Sequence, residues 1–453
     1  MIRIDILPDD VLLQIFDFYM DATIWREHEW ESLVHVCRRW RTLVFRSPRR
    51  LNLQLVCTAK TPVRDTLDVW PALPLLIRCD MKSTSGTGNI VAALGQNNHV
   101  REVRLWNIAG LKSEEVLAAM EVPFPELTDL EFISDSDHET IPVIRDSFLD
   151  GSAPRLRRVE FIGIPFLGLP NLFLSATHLV DLKLLNIPQS GYISPEEFVA
   201  LLSVLSSLER LAFGFESPQS CPDRETRPLP PSKRSVIPAL EWFCFDGVIE
   251  YLEGLVTNID TPQLYEMQIT FFNQIDFNTP RLAQFFDRTP DLRKTDAHVR
   301  FDEHFARIAL QVSPEFYYFG IQVRCREPDW QLSSIEQVCN SLWHPLSTVE
   351  NLYIEHHYSK QVWKDDSIEN TLWLQLLLPF TAVKNLFLSK EFEPGIASAL
   401  QEMTGVLPSL QNIFVEGLGP SGPFQEKIGL FVATRRLSDY PITISLWGDP
   451  QWR

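Results

Sequence analysis

A chain of 453 residues offers few places where side chains could do covalent chemistry. The stretch HVRFDEHF puts His298, Asp302 and His304 close together, a start for a metal site, but no third ligand follows at metal spacing. We read it as a solvated helix. His356 and His357 follow an apolar run and fall at a strand end, where one ring of the pair meets solvent. The seven cysteines, at 37, 57, 79, 221, 244, 325 and 339, are scattered, with no CxxC. That pattern suits reduced, buried thiols better than a zinc site or a disulfide framework. None lies in a basic setting that would make a nucleophile of it. There is no glycine-rich phosphate loop, no GxSxG and no HExxH. We expect no catalytic residue, no metal, no cofactor and no enzyme.

The chemistry on offer is that of binding. One pattern recurs: apolar, two residues, apolar, one residue, apolar. It appears as VREVRL (100–105), LTDLEF (127–132), LRRVEF (156–161), LVDLKL (179–184), LERLAF (208–213), LEWFCF (240–245) and LYEMQI (264–269). It returns as VENLYI (349–354), VKNLFL (383–388) and LQNIFV (410–415), with weaker copies at 73–78, 292–297, 316–321 and 442–447. The mean interval is about 28 residues, inside the leucine-rich-repeat range. The residue between the last two apolar positions forms a row: Arg104, Glu131, Glu160, Lys183, Ala212, Cys244, Gln268, Asp296, Gly320, Tyr353, Phe387, Phe414. A second row holds Glu102, Asp129, Arg158, Asp181, Arg210, Trp242, Glu266, Lys294, Tyr318, Asn351, Asn385, Asn412. On a strand both rows face away from the buried side. Three aromatics (Tyr353, Phe387, Phe414) beside three asparagines (Asn351, Asn385, Asn412) make a candidate target-binding platform, since aromatics anchor interfaces. The alternative has these rings covering the sheet, or covered by the C-terminal tail.

The elements that must carry these rows follow from the same pattern. Each copy is a period-2 strand with one buried face. Between copies lie helical stretches such as SPEEFVALLSVLSS, where Ser194, Pro195 and Glu197 make a good helix start. Strand and helix repeated give an α/β solenoid with a curved parallel sheet. Residues 216–238 interrupt it with six prolines and read as a loop excursion. Residues 424–437 read as a helix within a C-terminal cap, about 420–453.

The first fifty residues differ. Leu7-Pro8 before Asp9-Asp10 starts a helix, because proline suits the first turn and carboxylates suit the helix dipole. Val11, Leu12, Ile15, Phe16 and Tyr19 then recur at helical spacing. A second helix, from about Trp30, carries Leu33, Val36, Cys37, Trp40 and Val44, and Ser47-Pro48 stops it. Two or three short helices cannot bury all this apolar surface among themselves, so part of it must meet the rest of the chain or a partner.

LPDDVLLQIF followed by LVHVCRRWRTLVF resembles an F-box: Leu-Pro, an acidic pair, an Ile-Phe helix, then a Val-x-Cys-Arg-x-Trp helix. The continuation RSPRRLNLQLVCT is similar to fungal F-box proteins. The resemblance implies a three-helix F-box over residues 1–50, followed by an irregular leucine-rich-repeat solenoid over 51–453. It implies docking to the Skp adaptor and, through it, to the cullin of an SCF-type ubiquitin ligase. Leu7, Pro8, Val11, Ile15 and Trp40 would form or support that contact. The alternative for these helices is a small cap on the larger core.

Composition narrows the partners. The formal net charge is −18, and residues 1–50 hold eight acidic and eight basic side chains, so the excess lies in the repeats. That argues against nucleic acid or an anionic membrane and for a basic target protein. No apolar run reaches the eighteen or so residues that span a bilayer, and Asp5, Asp9 and Asp10 break any signal-peptide core. We expect the cytoplasm or nucleus, and a substrate receptor that works by proximity. A Skp-binding scaffold outside the ligase, or a solenoid enzyme or small-ligand sensor, stays open as an alternative.

Overall fold

The computed structural model describes residues 6–21, 29–63, 67, 73–82, 86–134, 141–167, 171–221, 234–272, 277–289, 295–313, 316–342, 346–356, 370–402, 405–416, 428–429, 431–433, 435 and 441–447. The chain is mixed α/β, with N-terminal helices followed by a mostly parallel sheet, as expected of a solenoid after an F-box. It divides into two compact units, Met1–Gly191 and Tyr192–Arg453.

The first unit opens with α1 (Asp9–Asp21), α2 (Glu29–Val36) and α3 (Arg38–Arg46). The second helix read from the sequence is thus two. The chain breaks at Cys37, which is extended and caps α3 by accepting the Trp40 amide on its sulfur at 3.5 Å. Asp9 and Asp10 sit in the first turn of α1 as the dipole argument requires. Six parallel strands follow in chain order: β1 (Leu55–Cys57), β2 (Leu75–Asp80), β3 (Val100–Trp106), β4 (Asp129–Ile133), β5 (Arg158–Ile162) and β6 (Asp181–Ile187). The repeat pattern sets their register: Val103, Leu130, Val159 and Leu182 lie side by side, and each is buried.

The second unit holds β7 (Arg210–Phe215), β8 (Ser235–Val236), β9 (Trp242–Gly247), β10 (Ile259–Asp260), β11 (Glu266–Phe271), β12 (Asp296–Phe301), β13 (Phe305–Ser313), β14 (Phe316–Arg324), β15 (Asn351–His356), β16 (Asn385–Leu388), β17 (Asn412–Glu416) and β18 (Thr443–Trp447). Ten of them lie in the order β7-β9-β11-β14-β13-β12-β15-β16-β17-β18. β8, at the end of the proline-rich excursion, pairs with β10 in a small side sheet. The helix Pro195–Val204 carries the expected capping box between Ser194 and Glu197. Of the cap helix read at 424–437, residues 428–429, 431–433 and 435 are described, and these are helical.

Two expectations fail here. HVRFDEHF is not a helix. It is the end of β12, a tight turn and the start of β13. β13 had no counterpart in the repeat reading. β12 and β14 are each antiparallel to β13, so a three-stranded meander sits between β11 and β15 and interrupts the parallel order.

Candidate protein-interaction surfaces

The helical N-terminus sorts its apolar residues into two stripes. Leu12 and Phe16, one helical turn apart on α1, are buried, and Phe16 packs on Trp40 with ring centroids 4.6 Å apart. Trp30 of α2 is buried and donates its indole N–H to the Gln54 carbonyl at 2.9 Å, tying the helices to the chain entering β1. Arg39 of α3 holds the start of α1, donating to the Leu7 carbonyl and to Asp9 Oδ1, both at 2.6 Å.

The other stripe faces out. Val11 is half-buried, Ile15 is 39% exposed, and Phe18 and Tyr19 follow at helical spacing, Phe18 at 76%. Val36, at the end of α2, is 59% exposed, as is Ile6 at 73%. Of the five residues read as adaptor contacts, Pro8 and Ile15 are exposed, while Leu7, Val11 and Trp40 are half-buried. Sequence reasoning missed Phe18. Its spacing of three from Ile15 was the available signal.

The sheet face of the first unit is largely self-neutralised. Arg78 Nε reaches Glu102 Oε1 at 2.7 Å, Arg104 Nε reaches the same oxygen at 3.0 Å and Glu131 at 3.5 Å, and Lys183 pairs with Glu160 at 3.0 Å. Trp106 adds an indole N–H to Glu131 at 2.7 Å. These charged rows are cross-strand pairs of the sheet itself.

In the second unit the aromatic row is a continuous stack. Tyr353 and Phe387 lie 4.2 Å apart at 7°, and Phe387 and Phe414 4.5 Å apart at 9°. The strands are in register here, so rings of equal position are forced into neighbouring planes. The stack continues to His298, 4.2 Å from Tyr353 at 4°. The sequence rows put Asp296 in the row of Tyr353, with Gly320 between them. The register instead sets Asp296 against Asn351 and His298 against Tyr353, because the copy at 292–297 is displaced by two residues. Lys294, placed in the asparagine row, lies outside the described residues, as does His357.

His298 is buried, and its Nδ1 lies 3.3 Å from Glu355 Oε2. Burial pushes the imidazole below its usual pKa, against the pull of Glu355. Burial would raise the Glu355 carboxyl, but the His298 contact and Arg300, 2.5 Å away, outweigh it and hold it low. Tyr353 is pushed up to about 12 by burial, helped by Asp296 and Glu355.

The asparagines do not wait for a target. Asn412 donates to Asn385 at 2.8 Å, Asn385 to Asn351 at 2.7 Å and Asn351 to Asp296 at 2.7 Å, while the Thr443 hydroxyl donates to Asn412. Every amide dipole in this ladder points toward the Asp296 carboxylate. One N–H of each amide is therefore engaged within the sheet. The last strand also contributes to the ring surface. Trp447 of β18 leans over the stack, 5.7 Å from Phe387 and 6.1 Å from Tyr353. The three rings and the indole remain half-buried.

Cys37, expected to be buried, is exposed at the start of α3. Burial pushes the thiols of Cys57 and Cys244 up to about 11 and Cys221 to about 12, and raises Cys79, Cys325 and Cys339. Among the described residues no three His, Cys, Asp or Glu side chains converge as a metal site, and no helix is long and apolar enough to cross a membrane.

Comparison with known proteins agrees at the N-terminus. Residues 4–54 match the F-box-like family. No curated protein matches the chain. Among solved structures, one described as the crystal structure of a Rad7 and Elc1 complex in yeast is similar over 90% of this chain and 88% of that chain, at 13% identity and a TM-score of 0.32. A likeness that distant carries no argument about function. The F-box-like match covers the N-terminal helices and the chain entering β1.

Proposed function

We propose that the chain is the substrate-recognition subunit of an SCF-type cullin–RING ubiquitin ligase, with no active site of its own. The F-box-like match over residues 4–54 carries this reading, and the outward stripe of Ile15, Phe18 and Tyr19 with Val36 supports it. Exposed apolar residues at this spacing suit a groove on a helical partner, the Skp adaptor. The leucine-rich-repeat-like sheet would hold the target, with Tyr353, Phe387, Phe414 and the indole of Trp447 as apolar anchors. Negative charge in the repeats favours a basic target and speeds its encounter.

The test is co-purification of the intact chain with the Skp adaptor and cullin, beside a Pro8→Ala/Ile15→Ala variant. Both residues are exposed, so the fold should survive, and an interface hot spot is worth about 2 kcal/mol or more, a loss of roughly thirtyfold in affinity. Skp with cullin supports the ligase reading. Skp without cullin supports a scaffold outside the ligase, and capture of neither refutes both.

A further inference from the structure

We propose that a cleft in the first unit, about 700 Å³ in volume and open to solvent, binds a phosphorylated segment of a protein partner. It lies among the turn after α3 and the chain entering β2, β3, β4 and β5. Three arginines line it from separate stretches: Arg49 after α3, Arg101 on β3 and Arg155 before β5, with His99 two residues before Arg101. The carboxylate lining it is Glu126, already paired with Arg155. Three arginines against one glutamate leave a local excess of two positive charges, in a chain whose net charge is −18.

The contrast with the rest of the unit is the argument. On the sheet face Arg78, Arg104, Arg158 and Lys183 all have carboxylate partners. Arg49 and Arg101 are exposed and have none among the described residues. Guanidinium forks match phosphate bidentately, and a phosphate brings nearly two charges where a carboxylate brings one. Glu126 sharpens that choice, because a ligand carboxylate would compete with it for Arg155 on equal terms, whereas a dianion would displace it. The two half-buried prolines Pro48 and Pro74 give the cleft an apolar edge along which an extended peptide can lie, backed by the buried Leu53 and Leu73. This proposal goes beyond the adaptor reading and does not depend on it.

Three fluorescein-labelled peptide pools test it on the full chain: degenerate sequences with a fixed central phosphoserine, serine or aspartate, read by fluorescence polarisation. The phosphoserine pool should bind about tenfold or more tightly than either of the others and weaken as salt is raised. Arg49→Glu and Arg101→Glu should each cost a further tenfold or so, with thermal unfolding unchanged because both side chains are exposed. Arg101→Gln, which removes charge without reversing it, should weaken binding in the same direction. Equal binding of the three pools, an aspartate pool equal to the phosphoserine pool, or binding indifferent to both arginines would overturn the proposal. Adaptor co-purification should be unaffected in all three variants, which separates this site from the docking helices.

Discussion

The aromatic stack makes a quantitative prediction that also decides its role. Phe387 is the central ring. It stacks on Tyr353 and on Phe414 and touches Trp447, whereas Phe414 stacks on Phe387. An aromatic pair contributes about 0.5–1.5 kcal/mol beyond area burial. Phe387→Ser removes two stacked pairs and one tilted contact, plus the burial of a half-exposed ring, for a total of about 2–4 kcal/mol. Phe414→Ser removes one stacked pair and comparable area, about 1–2 kcal/mol. In the Phe387→Ser/Phe414→Ser double variant the Phe387–Phe414 pair is lost only once. The double variant should therefore fall short of additivity by about 1 kcal/mol. Urea unfolding of the full chain and the three variants, followed by circular dichroism, gives all four corners of the cycle. Loss of Phe387 at under about 0.5 kcal/mol, with strict additivity, would refute a stacked ladder. Capture of a target by the same variants completes the test. Lost capture with a modest drop in stability fits a binding platform, and retained capture with a large drop makes the rings purely structural.

Two more predictions concern stability. The Asp246 carboxyl is pushed up to about 6 by burial, against the pull of Arg324. The folded state thus holds this proton more tightly than the unfolded chain does. Its ionisation cost is absent below pH about 4, the ordinary aspartate value, and fully present above about 6. Asp246→Asn should flatten the fall in urea midpoint between those pH values, and an unchanged pH slope would remove Asp246 as its source. At the other end of the unit, Arg435 is buried and donates to the carbonyls of Val406 (2.7 Å), Leu407 (3.1 Å) and Pro408 (3.3 Å), and Ile428 and Phe431 are buried. A chain ending at Glu416 loses these and β18, which leaves β17 as an open edge and should aggregate in light scattering. A shortened chain that stays monomeric with unchanged melting would refute the closing role.

How much of this was legible in the sequence can be judged residue by residue. Leu130, Val159 and Leu182 share a row because each sits at the same place in an L-x-x-L-x-L copy, and the buried face leaves a strand no other register. The same logic aligned Tyr353, Phe387 and Phe414. Ser194 and Glu197 announced their helix because a capping box is local. The break at Cys37 was not legible, since helical spacing runs through it unchanged. Nor was the inserted meander. An antiparallel strand alternates its side chains with the same period as a parallel one, so the pattern reports which face a residue takes and not which way its neighbour runs. His298 therefore read as part of a solvated helix, and only the pairing of β12 with β15 placed it beside Tyr353 and Glu355. The asparagine ladder shows the same division. Its row was written in the sequence, but the direction of its amides was set by Asp296, 55 residues before Asn351 in the chain and its neighbour across the sheet. Periodicity fixes what is buried. Which polar groups meet on the exposed face depends on strand order, and strand order is a property of the folded chain.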